Sequence, residues 1–261
     1  MTNPSQGLLF SFAEMQKEAN NMAKVASRFL DSDNDAEGVI KEWVKQLEQF
    51  GLRDPGSELQ WEISLGRPIR TIPSNGYYER DGKGAHSVYA TISSIWDIAI
   101  PTPSGPTPKR GTPKQVFEIV GKASTRISVL CAPNGGNLCE LARWRFEIGT
   151  SCSPGCHFHA QILGEENDRV FPKSMPVPRL PGLLFTPMDA LEFVLAELFQ
   201  DEWARHAAKE TEAIKVWATC QKRRLIKLLQ WQQDRLEKSS GSPWTALKAD
   251  KPDATLLVCG E

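Results

Sequence analysis

Apolar residues recur at helical steps in the first part of the chain. Phe12, Met15, Ala19, Met22, Ala26 and Phe29 follow one another every three or four residues. Ile40, Trp43, Val44, Leu47 and Phe50 repeat the pattern beyond the polar turn at 31–35. The two stripes predict an αα-hairpin within residues 1–56, stopped at Gly51 and by Asp54, Pro55 and Gly56. From Glu58 the period changes to two, with Leu59, Trp61, Ile63 and Leu65 alternating with polar partners, as a strand with one buried face requires. The same alternation over 87–100 and 117–131 predicts further strands, and short turns rich in Gly and Asn favour antiparallel neighbours.

Prolines punctuate the rest. The segment 101–113, with five prolines, reads as a loop between two strands, and 165–186 reads as a stiff, extended connection. Thr186, Pro187 and Asp189 then supply a capping hydroxyl, a proline for the first helical position and an acid for the first turn. Helix is therefore expected over 187–240, either unbroken or bent near 209–211, because no Gly or Pro interrupts 188–240. The tail 241–261 is expected to be loose apart from a short strand at 256–259. The sum is an α+β domain over residues 1–240: an N-terminal αα-hairpin, an antiparallel meander of about five strands over 57–164, and long C-terminal helices.

Composition narrows the function classes. The chain has 261 residues, a net charge of -1 and 40% hydrophobic residues, so it offers no overall field for nucleic acid and has ample material for a core. The longest apolar run falls far short of the roughly 20 residues needed to span a bilayer. Without a signal-peptide core at its start, a cytoplasmic location with reduced thiols, and no membrane contact, is expected. No Walker loop, dinucleotide fingerprint, HExxH or GxSxG occurs, and no cofactor is expected from motifs of that kind.

One stretch carries chemistry. Strands at 143–148 and 156–162 flank a turn rich in Ser, Pro and Gly, and placing Ile148 opposite Cys156 puts Trp144, Phe146 and Phe158 on an apolar side. The other, solvated side then gathers Arg143, Arg145, Glu147, His157, His159 and Gln161, with Glu147 facing His157 and Arg145 facing His159. Histidines two residues apart on a strand share a face at a spacing of roughly 6.5–7 Å, which suits a shared metal ion. His157, His159 and Gln161 are thus candidate ligands for a divalent metal, and His157, His159 and Glu147 candidate catalytic groups. The His157-Phe158-His159 strand resembles the metal-binding element of the HUH nucleases. That resemblance implies a nucleophilic tyrosine, yet Tyr77, Tyr78 and Tyr89 all lie outside the predicted helices.

A second candidate surface is the stretch 205–238, which holds nine Lys or Arg against four acids. Lys222, Arg223 and Arg224 alternate there with large apolar side chains, as on a helix that buries one side and offers cations on the other. Nucleic acid is the partner such a face would take. Abundant apolar stripes and scarce catalytic groups favour a non-catalytic interaction module for a protein partner, acting within a larger protein or protein–nucleic-acid assembly through Arg143, Arg145 and Gln161. The alternative is a metal-dependent phosphodiesterase or nuclease built on the His-x-His-x-Gln strand.

Overall fold

The computed structural model describes residues 5–74, 77–79, 85–102, 116–131, 139–149, 156–163, 180–247, 252 and 256–259. The α+β class holds: helices at both ends of the chain pack on a large, mostly antiparallel sheet. The hairpin forms as α1 (Phe12–Ala26) and α2 (Ala36–Phe50), joined through a 3-10 turn at Ser27–Phe29. Ser11 caps α1 by accepting a hydrogen bond from the Glu14 amide. A strand not expected from the sequence precedes it: β1 (Ser5–Ser11) lies between two other strands. A strand paired on both edges and covered on both faces reads as a continuous apolar run such as Leu8, Leu9 and Phe10, so no alternation announced it.

The sheet is built on two long strands, β5 (Ala85–Ala99) and β6 (Val116–Cys131), paired along almost their whole length. On one side β5 carries β2 (Glu58–Ile63), β3 (Ile69–Arg70) and β4 (Tyr77–Glu79). On the other, β6 pairs with β1 near its start and with β7 (Cys139–Ile148) beyond it, and β8 (Phe158–Leu163) and β9 (Leu180–Pro181) follow β7. The hand-over on β6 comes where the register against β5 slips between Trp96 and Ile98, near Gly121 at φ 61°. A bulge of this kind uses glycine because the positive φ is cheap without a Cβ. The tail is less loose than expected: β10 (Leu256–Cys259), the anticipated strand, runs parallel to β1, and the short helix α5 (Pro243–Leu247) precedes it.

One face of the sheet packs the core. Trp43 of α2 stacks on Trp61 of β2 with ring centres 3.9 Å apart, and the Trp61 indole N–H donates to the Trp43 carbonyl at 2.8 Å. Phe146 stacks on Phe185 at 4.1 Å, and Phe158 is buried beside Trp231. The C-terminal helical part divides into α3 (Pro187–Ala207) and α4 (Glu212–Lys238) at the anticipated place, where Thr211 caps α4, and α3 carries a further, unanticipated kink at Gln200, whose φ is 38°. Thr186 and Asp189 form a reciprocal capping box at the start of α3. Among the described residues no helix is long and apolar enough to cross a membrane. The proline-rich loop at 103–113 and most of the connection, 165–179, lie outside the described residues.

Candidate functional site

The second face of the sheet is striped by charge, because side chains two apart along each strand share a face and cross-strand partners line up in rows. One row runs Glu62, Ile95, Ser124, Glu147, His159 across β2, β5, β6, β7 and β8. The next runs Ser93, Arg126, Arg145, Gln161. A third places Ser128 opposite Arg143. Adjacent rows are separated by roughly 6.5–7 Å, twice the strand rise.

The observed register corrects the expected one. Ile148 pairs with Phe158, not Cys156, so β8 is shifted by two residues against β7, and each side chain within β8 keeps its face but changes partner. Glu147 therefore faces His159, and Arg145 faces Gln161. His157 lies before β8, its amide bonded to the Leu247 carbonyl, and its ring packs against Phe158 at 4.7 Å and Trp231 at 5.9 Å. Because His157 lies outside the strand, the expected His157–His159 pairing on one sheet face is lost: His157 turns to the helical side, His159 to the polar face. The polar face is also less solvated than expected, since Ser93, Ser124, Ser128, His159 and Gln161 are all buried.

His159 shows what its surroundings permit. Its Nδ1 lies 2.9 Å from the Cys156 carbonyl, an acceptor, so Nδ1 donates to it. Nε2 stands 3.8 Å from Glu147 Oε2, too far for a hydrogen bond, with the imidazole 3% exposed. Among the described residues no three His, Cys, Asp or Glu gather as metal ligands. Tyr77 and Tyr78 fall on β4 and Tyr89 on β5, so none of the three stands on a helix.

The arginines dominate the electrostatics. Glu140 binds Arg143 through two hydrogen bonds of 2.6 Å each, while Arg126 approaches the same carboxylate at 3.6 Å and Arg145 approaches Glu147 at 3.7 Å. Both latter separations exceed the about 2.7–2.9 Å of a charge-assisted hydrogen bond. Burial would raise the Glu140 carboxyl, but the hydrogen bonds and charge of Arg143, with Arg126 and Ser128, outweigh it and hold the group below its ordinary range. Glu147 behaves alike: burial is overcome by His159, Arg145 and Ser124, and its carboxyl is lowered. For Arg126, burial first and then the charges of Arg143 and Arg145 push the guanidinium below its usual value against the pull of Glu140.

Between these rows lies a cavity of about 300 Å³. Its charged lining is Lys122, Arg126 and Arg145 against Glu62 and Glu147, with Ser93 and Ser124 between them. Lys122, Arg126, Glu62 and Glu140 escaped the sequence reading of the site. The polar alternation of β6 marks Lys122 and Arg126, but only the pairing of β6 with β7 sets Arg126 opposite Arg145.

The basic stretch of α4 is spent differently. Arg224 is fully buried and held by Glu18 of α1 and Asp189 of α3, and Arg223 bonds Glu14 at 2.7 Å, which leaves Lys222 exposed. The alternation of bases with apolar side chains thus marks a helix docked through its own arginines, and the expected Lys222–Arg223–Arg224 binding surface is reduced to one residue. Comparison of the chain with protein-family models, curated proteins and solved structures gives no match.

Proposed function

We propose that this chain is a non-catalytic interaction module that recognises an anionic group on the polar face of its sheet. The observation that carries the reading is the cavity, where three cations, Lys122, Arg126 and Arg145, face two carboxylates. Arg126 and Arg145 are direct cross-strand partners. Like charges opposite one another weaken a sheet, so a pair kept there needs an anion between or beside it. Glu140 neutralises Arg143 closely but stands off from Arg126. An incoming oxyanion would complete the set.

The test is thermal unfolding in chloride, acetate, sulfate and phosphate at constant ionic strength. Multivalent oxyanions should raise the midpoint above that in chloride, because a ligand that binds only the folded state stabilises it. The rise should shrink in Arg126→Gln/Arg145→Gln to the general stabilising effect of excluded anions and persist in full in Lys222→Gln. An unchanged response in the double variant would refute the proposal, and loss of the rise in Lys222→Gln would move the binding surface to α4.

A further inference from the structure

Resting on that reading, the geometry points to a narrower ligand: a small phosphate monoester whose organic part carries hydroxyl or amine donors, bound singly in the cavity between the basic and acidic rows.

Three observations lead there. The charged lining carries one more cation than anion, which favours a single anionic group and is too little for a chain of them. Cross-strand partners stand roughly 4.5–5.5 Å apart at Cα, and Arg126 and Arg145 both line the cavity, so two guanidinium groups that now lean toward Glu140 and Glu147 stand close enough to share one tetrahedral oxyanion by turning their side chains. The acidic row of Glu62 and Glu147 lies one step along the strands, on the order of 7 Å away. A second phosphate of a polyanion extending in that direction would meet these carboxylates and be repelled. A hydroxyl or ammonium group would instead find acceptors there.

The size agrees. About 300 Å³ is at the small end of ligand cavities, which run from roughly 300 to 1,000 Å³. That volume accommodates a phosphate with a short polyol or amine and no long polymer. The serines add neutral donors: Ser93 pairs with Arg126 across β5 and β6, and Ser124 with Glu147 across β6 and β7, each in the row of the charge it assists.

The probes are glycerol 3-phosphate, inorganic phosphate, methyl sulfate and a twenty-residue oligothymidylate, each titrated calorimetrically into the full chain. Glycerol 3-phosphate should bind one to one, at least tenfold tighter than singly charged methyl sulfate and tighter than inorganic phosphate. Arg126→Gln and Arg145→Gln should each weaken it at least tenfold, and Glu62→Gln should narrow its advantage over inorganic phosphate. Unliganded unfolding midpoints of these variants report whether each still folds, and Lys122→Gln, at an exposed site on the cavity rim, gives a variant that keeps the fold and should lose several-fold in affinity. Equal binding of inorganic phosphate and the ester would assign the site to free phosphate and overturn the ester. Tighter binding of the oligonucleotide, with the steep salt dependence of many phosphate contacts, would overturn the single-phosphate inference while leaving anion recognition intact. Binding indifferent to Arg126 and Arg145 would overturn both.

Discussion

Two clusters of charge sit in this molecule, one within the helix layer and one on the polar face of the sheet, and their balance is opposite. In the helix layer Arg224 holds both Glu18 and Asp189, two carboxylates on one guanidinium, all essentially sealed from water. Both terminal nitrogens of Arg224 donate to these carboxylates, the Thr186–Asp189 capping box closes beside them, and the cluster ties α1, α3 and α4 together. On the sheet, Arg126, Arg143 and Arg145 share Glu140 and Glu147, with looser contacts beside a cavity. A closed cluster with internal partners holds a fold in register, whereas an open one with surplus charge of one sign has capacity left for a ligand.

If that contrast is right, the largest effect belongs to the closed cluster. Arg224→Leu leaves two buried carboxylates without their cation and should cost about 3–5 kcal/mol in denaturant unfolding. A loss under about 1 kcal/mol would show that the triad does not hold the helices. Phe158→Ala, which empties a core position on the apolar face behind the site, should also cost about 3–5 kcal/mol. A near-neutral result would contradict the placement of Phe158 on the buried face of β8. Thr186→Ala should cost about 1–2 kcal/mol by the same measurement, through the lost cap of α3. Arg145→Gln belongs to the open cluster, and its half-exposed side chain should change stability by no more than about 0.5 kcal/mol.

The two clusters should also answer pH with opposite sign. Burial, reinforced by the charges of Asp189 and Glu14, raises the Glu18 carboxyl above its ordinary value despite Arg224. A raised carboxyl makes the folded state bind protons more readily than the unfolded one, so this contribution falls as pH rises from the ordinary carboxylate value through the folded one. Glu140 and Glu147 are lowered, so theirs is present above the ordinary carboxylate range and is lost as pH falls through their folded values. Unfolding free energies across pH should therefore show the difference between wild type and Glu140→Gln shrinking on acidification. The difference between wild type and Glu18→Gln should instead shift in favour of wild type. Parallel pH curves for the two variants would erase the distinction.

The sequence carried the helices and the long strands because each buries one face against a core, and period alone exposes such elements. Trp61, Ile63, Ile92, Trp96 and Ile127 are buried as alternation requires. It did not carry β1, whose Leu8, Leu9 and Phe10 lie in a strand flanked on both edges, nor the two-residue shift of β8, since a shift of two preserves every face. That shift is why Glu147 meets His159 and not His157. The site's polarity was legible in Arg143, Arg145 and Glu147, while its cationic surplus was not, because Arg126 joins only through the pairing of β6 with β7. The basic run on α4 misled for a related reason: a charge pattern along a helix does not reveal that Glu18 and Asp189, far away in sequence, neutralise Arg224.

The most direct measurement follows the arginine side chains themselves. In a nitrogen-15 correlation spectrum of the arginine Nε–H groups, titration with glycerol 3-phosphate should move the signals of Arg126 and Arg145 together along one saturating curve. The Arg224 signal, locked between Glu18 and Asp189, should stay in place. Saturating shifts confined to Arg223 or Arg224, or no shift at Arg126 and Arg145, would contradict the assignment of the open cluster as the binding surface.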